Sequence, residues 1–197
     1  MNESRGTCPN KWRPATESLV ALSLLWVFGT TNLPGQEMRA GFALGAAVPA
    51  GDFRETRGTG PVAQLFVLFG GADRRIRLRV EAEGVRLPGH TPASSSTSTG
   101  GDLYILSGIG SLIMGPRSTP VRPYFLLGAG PQLVSVPKQV NPYGSVTGIR
   151  AGFGVEGRLR SWTIRGEIAG DAVLSDFGTG RDFGFGGYFP LTLAIQF

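Results

Sequence analysis

The sequence predicts an all-β chain, an eight-stranded antiparallel up-and-down transmembrane β-barrel preceded by a cleavable signal peptide. Three observations predict it. Charged and apolar residues alternate at period two, connections alternate between short and long, and a single short apolar run stands near the start. The clearest alternation is RIRLRVEAEG, Arg75–Gly84. Arg75, Arg77, Arg79, Glu81 and Glu83 fall on one side of a strand, and Ile76, Leu78, Val80 and Ala82 on the other. A soluble sheet turns such an apolar face to a core and its charges to water. A membrane barrel turns the same pattern inside out, with lipid outside and a polar lumen within.

Taken in order, the chain begins with Arg5, Lys11 and Arg13 before LVALSLLWVF, Leu19–Phe28, followed by the breaker-rich GTTNLPGQ. Ten residues are too few for a spanning helix, which needs about 20. Residues 1–35 are therefore expected to be a signal peptide, cleaved near Gly35 and Gln36, and residues 36–197 the barrel. Cys8 is the only cysteine and precedes the apolar run, so the mature barrel is expected to lack disulfides and thiolate metal sites.

Eight extended segments follow, at 38–48, 62–70, 75–85, 102–114, 122–134, 146–158, 161–173 and 185–197. The sixth alternates Arg150, Gly152, Gly154, Glu156 and Arg158 with Ile149, Ala151, Phe153 and Val155. The seventh sets Thr163, Arg165 and Glu167 against Trp162, Ile164, Gly166 and Ile168. The last sets Phe185, Phe189, Leu191, Leu193, Ile195 and Phe197 against Tyr188, Pro190, Thr192, Ala194 and Gln196. GADR, GPRSTPVR and LRS make the short joins. PAGDFRETRGTG, RLPGHTPASSSTSTGG, SVPKQVNPYGS and LSDFGTGRDFG make the long ones. This alternation suits short periplasmic turns and long outer loops, and eight tilted strands of about 9–11 residues fill the available length. Tyr104, Tyr124, Phe125, Trp162, Tyr188 and Phe189 are expected in interfacial girdles.

Composition agrees. The chain has 31 glycines in 197 residues, most of them inside apolar segments, as close-packed β-walls require. The net charge of +5 is almost wholly arginine, with Lys11 and Lys138 the only lysines. No basic stripe interleaved with aromatics occurs, so no nucleic-acid partner is expected.

With these features in place, the chain resembles the small eight-stranded outer-membrane β-barrels of the OmpA-transmembrane-domain and OmpX type. The resemblance rests on the signal-like start, the eight-segment alternation over 38–197 and the terminal strand GGYFPLTLAIQF. It implies a Gram-negative outer-membrane location, outer-membrane lipid as surroundings, and an insertion signal read by the barrel-insertion machinery. That signal would be Leu193, Ile195 and Phe197, with Tyr188 or Phe189 as the upstream aromatic. A monomer is expected, without the peptidoglycan-binding domain of longer relatives.

The charged side then faces the lumen. Arg75, Arg77, Arg79, Arg150 and Arg165 are expected to meet Glu81, Glu83, Glu156 and Glu167 in a network that plugs and braces the barrel. Arginines outnumber glutamates in this set, which keeps open a narrow anion-preferring pore. A soluble exported lipocalin-like barrel with an apolar ligand is the third class. No enzyme is expected. His90 is the only histidine and lies in a polar loop, PGHTPASSS, without the partners an acyl hydrolase needs. Glu81 and Glu83 have arginines as sequence neighbours, an arrangement expected to keep the pair ionised and so to suit general acid work poorly. GAGPQL and GFGG lack the strand-turn-helix setting of a phosphate loop. No cofactor and no metal is expected. Any specificity is expected in the outer loops, for an extracellular ligand or surface.

Overall fold

Alternation at period two forces each segment into an extended conformation, and the computed structural model closes eight such strands into one antiparallel barrel. It describes residues 37–51, 53–71, 74–89, 101–116, 120–135, 143–175 and 184–197. The expected signal peptide, Cys8 and His90 lie outside the described residues, as do the central parts of the long loops. The strands are β1 (Met38–Gly51), β2 (Gly60–Phe69), β3 (Ile76–Leu87), β4 (Leu103–Met114), β5 (Val121–Ser135), β6 (Tyr143–Leu159), β7 (Trp162–Ser175) and β8 (Gly184–Gln196). Each begins and ends within three residues of its expected position. A four-residue helix, α1 (Phe53–Thr56), sits in the β1–β2 connection, where the sequence carries no helical period to announce it.

Every strand pairs with its sequence neighbour, and β1 closes on β8 from Gly41 opposite Gln196 to Gly51 opposite Gly186. Closure leaves no unpaired strand edge, a requirement for a sheet in lipid. The turns β2–β3, β4–β5 and β6–β7 lie at one end, called here the turn end. The connections β1–β2, β3–β4, β5–β6 and β7–β8 lie at the opposite loop end.

The pleat sends alternate side chains outward and inward without a slip through β3 and β4. Outside lie Leu44, Leu65, Leu78, Leu106, Phe125, Leu127, Ile168 and Leu193, all exposed to the surroundings. Among the described outward positions of the strands, Arg86 at the loop end of β3 is the only charged residue. Inside lie the arginines and carboxylates, each with less than a tenth of its surface exposed. A soluble protein has the opposite arrangement, because exposed aliphatic surface on this scale raises its free energy in water.

Two girdle expectations are corrected. Tyr124 and Tyr188 point into the lumen and are each 1% exposed, while Tyr104, Phe125, Trp162 and Phe189 point outward. The reason is parity: Tyr124 shares the face of Arg122 on β5, and Tyr188 that of Thr192 on β8.

Candidate functional site in the barrel lumen

The charged side chains of the lumen alternate off β3, β5, β6 and β7 and reach across the barrel. Arg79 on β3 donates to both carboxylate oxygens of Glu167 on β7, Nη1 to Oε2 at 2.7 Å and Nη2 to Oε1 at 2.9 Å. Its Nε lies 2.8 Å from Glu81 Oε2. The Tyr124 hydroxyl donates to Glu167 Oε2 at 2.7 Å. Arg150 on β6 gathers three carboxylates: it pairs with Glu81, with Glu83 at 2.6 Å, and bidentately with Asp171 at 2.7 and 2.8 Å. Glu83 also accepts from the Tyr188 hydroxyl at 2.7 Å and from the Gln64 amide at 2.6 Å. Glu156 reverses that ratio, with Arg77 at 2.9 Å, Arg165 at 3.3 Å and Arg122 at 3.7 Å. Arg165 further donates to Gln196 at 2.9 Å and stands over the rings of Phe66 and Tyr124, 5.1 and 5.2 Å from their centroids.

Charge is therefore sorted along the axis. Toward the loop end, Arg150 stands against Glu81, Glu83 and Asp171. Toward the turn end, Glu156 stands against Arg77, Arg122 and Arg165. Arg79 and Glu167 bridge the two halves.

Apolar layers bound the charges. Ala47, Val62, Val85, Leu87, Leu103, Ile105, Val134 and Tyr188 cluster near the loop end, and Phe53 of α1 packs against them. The β1–β2 connection that carries α1 is tied to the β3–β4 loop: Arg57 bonds the Gly101 carbonyl, and Gly58 N donates to Pro88 O at 2.8 Å. Leu68, Ile113, Tyr124 and Leu126 form a second cluster toward the turns.

Large lumen side chains find room by lying over glycine on the next strand. Tyr124 faces Gly154, where a Cβ would overlap the phenol ring. Phe66 covers Gly41 in the same way.

Of the expected network, Arg77, Arg79, Glu81, Glu83, Arg150, Glu156, Arg165 and Glu167 are brought together. Arg75 is not. It precedes β3, is exposed, and its carbonyl accepts from Gly115 N at 3.0 Å, so the turn takes it before the pleat can aim it inward. Arg122 and Asp171 are lumen residues absent from the expected set. With them the described buried charges are five arginines, Arg77, Arg79, Arg122, Arg150 and Arg165, and five carboxylates, Glu81, Glu83, Glu156, Glu167 and Asp171. The arginine excess that kept an anion-preferring pore open is absent from the described lumen. Of the terminal-strand residues, Phe189, Leu193 and Phe197 face outward, Ile195 shares their face, and Tyr188 faces the lumen. No group of three or more His, Cys, Asp or Glu side chains with metal-holding geometry occurs among the described residues.

Among solved structures, the chain is similar to the crystal structure of Neisserial surface protein A, NspA. The TM-score is 0.58 at 14% identity, covering 82% of this chain and 97% of that one. The chain has the fold of the small outer-membrane β-barrels. Ail, the attachment invasion locus protein of Yersinia pestis, aligns with TM-score 0.48 and 16% identity over 82% of this chain and 99% of that one. The outer membrane enzyme PagL aligns with TM-score 0.46 and 14% identity over 80% of this chain and 97% of its own. No protein-family model and no curated protein sequence matches the chain.

Proposed function

We propose that this chain is an outer-membrane β-barrel of a Gram-negative-type envelope whose lumen is plugged and whose loop end makes its contacts with ligands or surfaces. The single observation that carries this reading is the outer face. Eight strands present aliphatic and aromatic side chains outward, with Arg86 at the loop rim as the sole charge among the described positions. Such a wall is stable in lipid and unstable in water. The lumen supports a bracing role, since equal numbers of arginines and carboxylates interlock there and an apolar cluster lies over them at the loop end. Phe189, Leu193, Ile195 and Phe197 would present the insertion signal to the assembly machinery. The reading includes no catalytic step.

A narrow pore is the second reading. Ser107 and Ser111 on β4 and both amide atoms of Gln132 on β5 are buried without hydrogen-bond partners among the described residues, and a hydrated file along that wall would satisfy them.

Cell fractionation with protease added to intact cells tests the first reading. Recovery in the outer membrane, with cuts confined to loops 86–101 and 174–184, is the expected result, and recovery as a soluble periplasmic protein would refute it. Bilayer conductance then separates the readings: a plugged barrel gives no unitary currents, and a pore does.

A further inference from the structure

Among the described residues, the exposed charges at the two ends of the barrel differ. At the loop end, Arg86 pairs with Asp102 at 2.7 Å, Glu55 follows Arg54 on α1, and Arg57 is turned to the Gly101 carbonyl. At the turn end, Arg74 and Arg75 stand exposed between β2 and β3, with Asp73 the one carboxylate before them in that connection. Arg158 and Arg160 stand exposed at the β6–β7 turn with no carboxylate between them. Among the described residues none of these four forms an ion pair. The Arg39–Glu37 pair neutralises itself beside them. These two turns lie on opposite sides of an eight-stranded ring, so the charge flanks that end on two sides. Beneath it the lumen continues the same sign, with Arg77, Arg122 and Arg165 around the single carboxylate of Glu156.

We propose that the turn end is a docking surface for the anionic phospholipid headgroups of the leaflet it faces. The inference rests on the membrane reading above. Guanidinium groups on two opposite turns suit a plane of phosphates better than a single small anion, because arginine matches phosphate oxygens bidentately and each turn finds its own partner. The side chains around it are those of a membrane boundary: Trp162, Phe197 and Met38 face outward at the same end.

The turn itself favours the inference. Arg160 and Ser161 alone join Leu159 to Trp162, and Arg160 has φ 57°. Glycine fits the left-handed position of a two-residue hairpin with least strain. An arginine is held there instead, at a cost in backbone energy, and what it adds over glycine is a guanidinium. The other turn is braced: the Arg74 carbonyl accepts from the Arg122 guanidinium, and the Arg75 carbonyl from Gly115 N. Both turns hold their arginines at the rim.

Native mass spectrometry of the full chain, folded in detergent with equal amounts of phosphatidylglycerol and phosphatidylcholine, tests the proposal. The wild-type barrel should retain phosphatidylglycerol preferentially, and added salt should erode the preference. R74A/R75A/R158A/R160A should lose it, each surface arginine being worth about fivefold. The corresponding four-lysine variant should restore most of it, and R54A at the loop end should leave it intact. R160G, which relaxes the turn and keeps the barrel, should lower retention alone. Equal retention of the two lipids by the wild type, or a preference unchanged in the four-alanine variant, would overturn the proposal. Heat-modifiable gel migration of each sample identifies the folded barrel. Its absence from the wild type would overturn the membrane reading, and this one with it.

Discussion

Arg79 and Glu167 meet across the full width of the barrel, from β3 to β7, through two hydrogen bonds of 2.7 and 2.9 Å. The pair links an arginine-rich half of the lumen to a carboxylate-rich half, and both partners are almost wholly buried. Removing one partner leaves a buried charge unmatched, while removing both keeps the lumen's charges balanced and costs the Tyr124 hydroxyl its acceptor and Glu81 one of its two arginines. Glu167→Leu should therefore lower stability by about 3–5 kcal/mol. Arg79→Met combined with Glu167→Leu should recover a large part of that loss. Urea unfolding of the detergent-folded barrel, followed by tryptophan fluorescence, measures both.

Glycine positions give a sharper contrast. A Cβ at Gly154 would overlap the Tyr124 ring, whereas a Cβ at Gly108 would meet nothing within 4 Å. Gly154→Ala should cost about 1–3 kcal/mol through displacement of Tyr124 and its bond to Glu167. Gly108→Ala should be neutral within about 0.5 kcal/mol. Unfolding midpoints of the two variants, measured side by side, decide this.

The outer face makes a prediction of opposite sign in lipid and in water. Leu191, near the middle of β8, points outward. In a bilayer, Leu191→Arg should destabilise by about 2–4 kcal/mol, as for an arginine near the midplane. In a water-soluble barrel the same substitution would cost almost nothing and raise solubility. Folding yield into phosphatidylcholine vesicles reads the difference.

Acid should weaken one contact at the loop end. Asp102 accepts from Arg86 at 2.8 Å, and that hydrogen bond holds its carboxyl below the usual carboxylate range. A carboxylate whose folded value is depressed contributes stability above its unfolded value, near pH 4, and loses it as pH falls through the folded value. Asp102→Asn should therefore flatten the acid side of the stability profile, by a small amount because the pair is open to solvent. Unfolding midpoints between neutral pH and pH 3 measure the slope.

Much of this architecture was legible in the sequence because period two is strict in β3, β6 and β7, where charges mark one face, and in β8, where aromatic and aliphatic residues mark the other. Asp171 carries the same signal: it lies in the seventh segment and shares parity with Arg165 and Glu167, yet the alternation read for that strand ended at Ile168. Arg122 was harder to see, since β5 is apolar on both faces and one charge at its start sets no period. Tyr124 and Tyr188 show the limit of residue type as a guide. A phenol suits a membrane interface and a buried hydrogen bond equally well, and here Glu167 and Glu83 decide for the lumen. Arg75 shows the converse, an alternation that continues on paper one residue beyond the strand. Partner choice among the lumen charges depends on which strands face each other across a closed ring, which no local pattern carries.

The central claim is that the aliphatic face meets lipid and the charged face does not. Trp162 is the only tryptophan among the described residues, and it points outward at the start of β7. The most direct measurement is the fluorescence of a chain beginning at Glu37, folded into vesicles of lipids brominated on their acyl chains. Strong quenching of Trp162 relative to unbrominated vesicles is the predicted result. Emission unchanged by bromination would contradict the orientation of every strand described above.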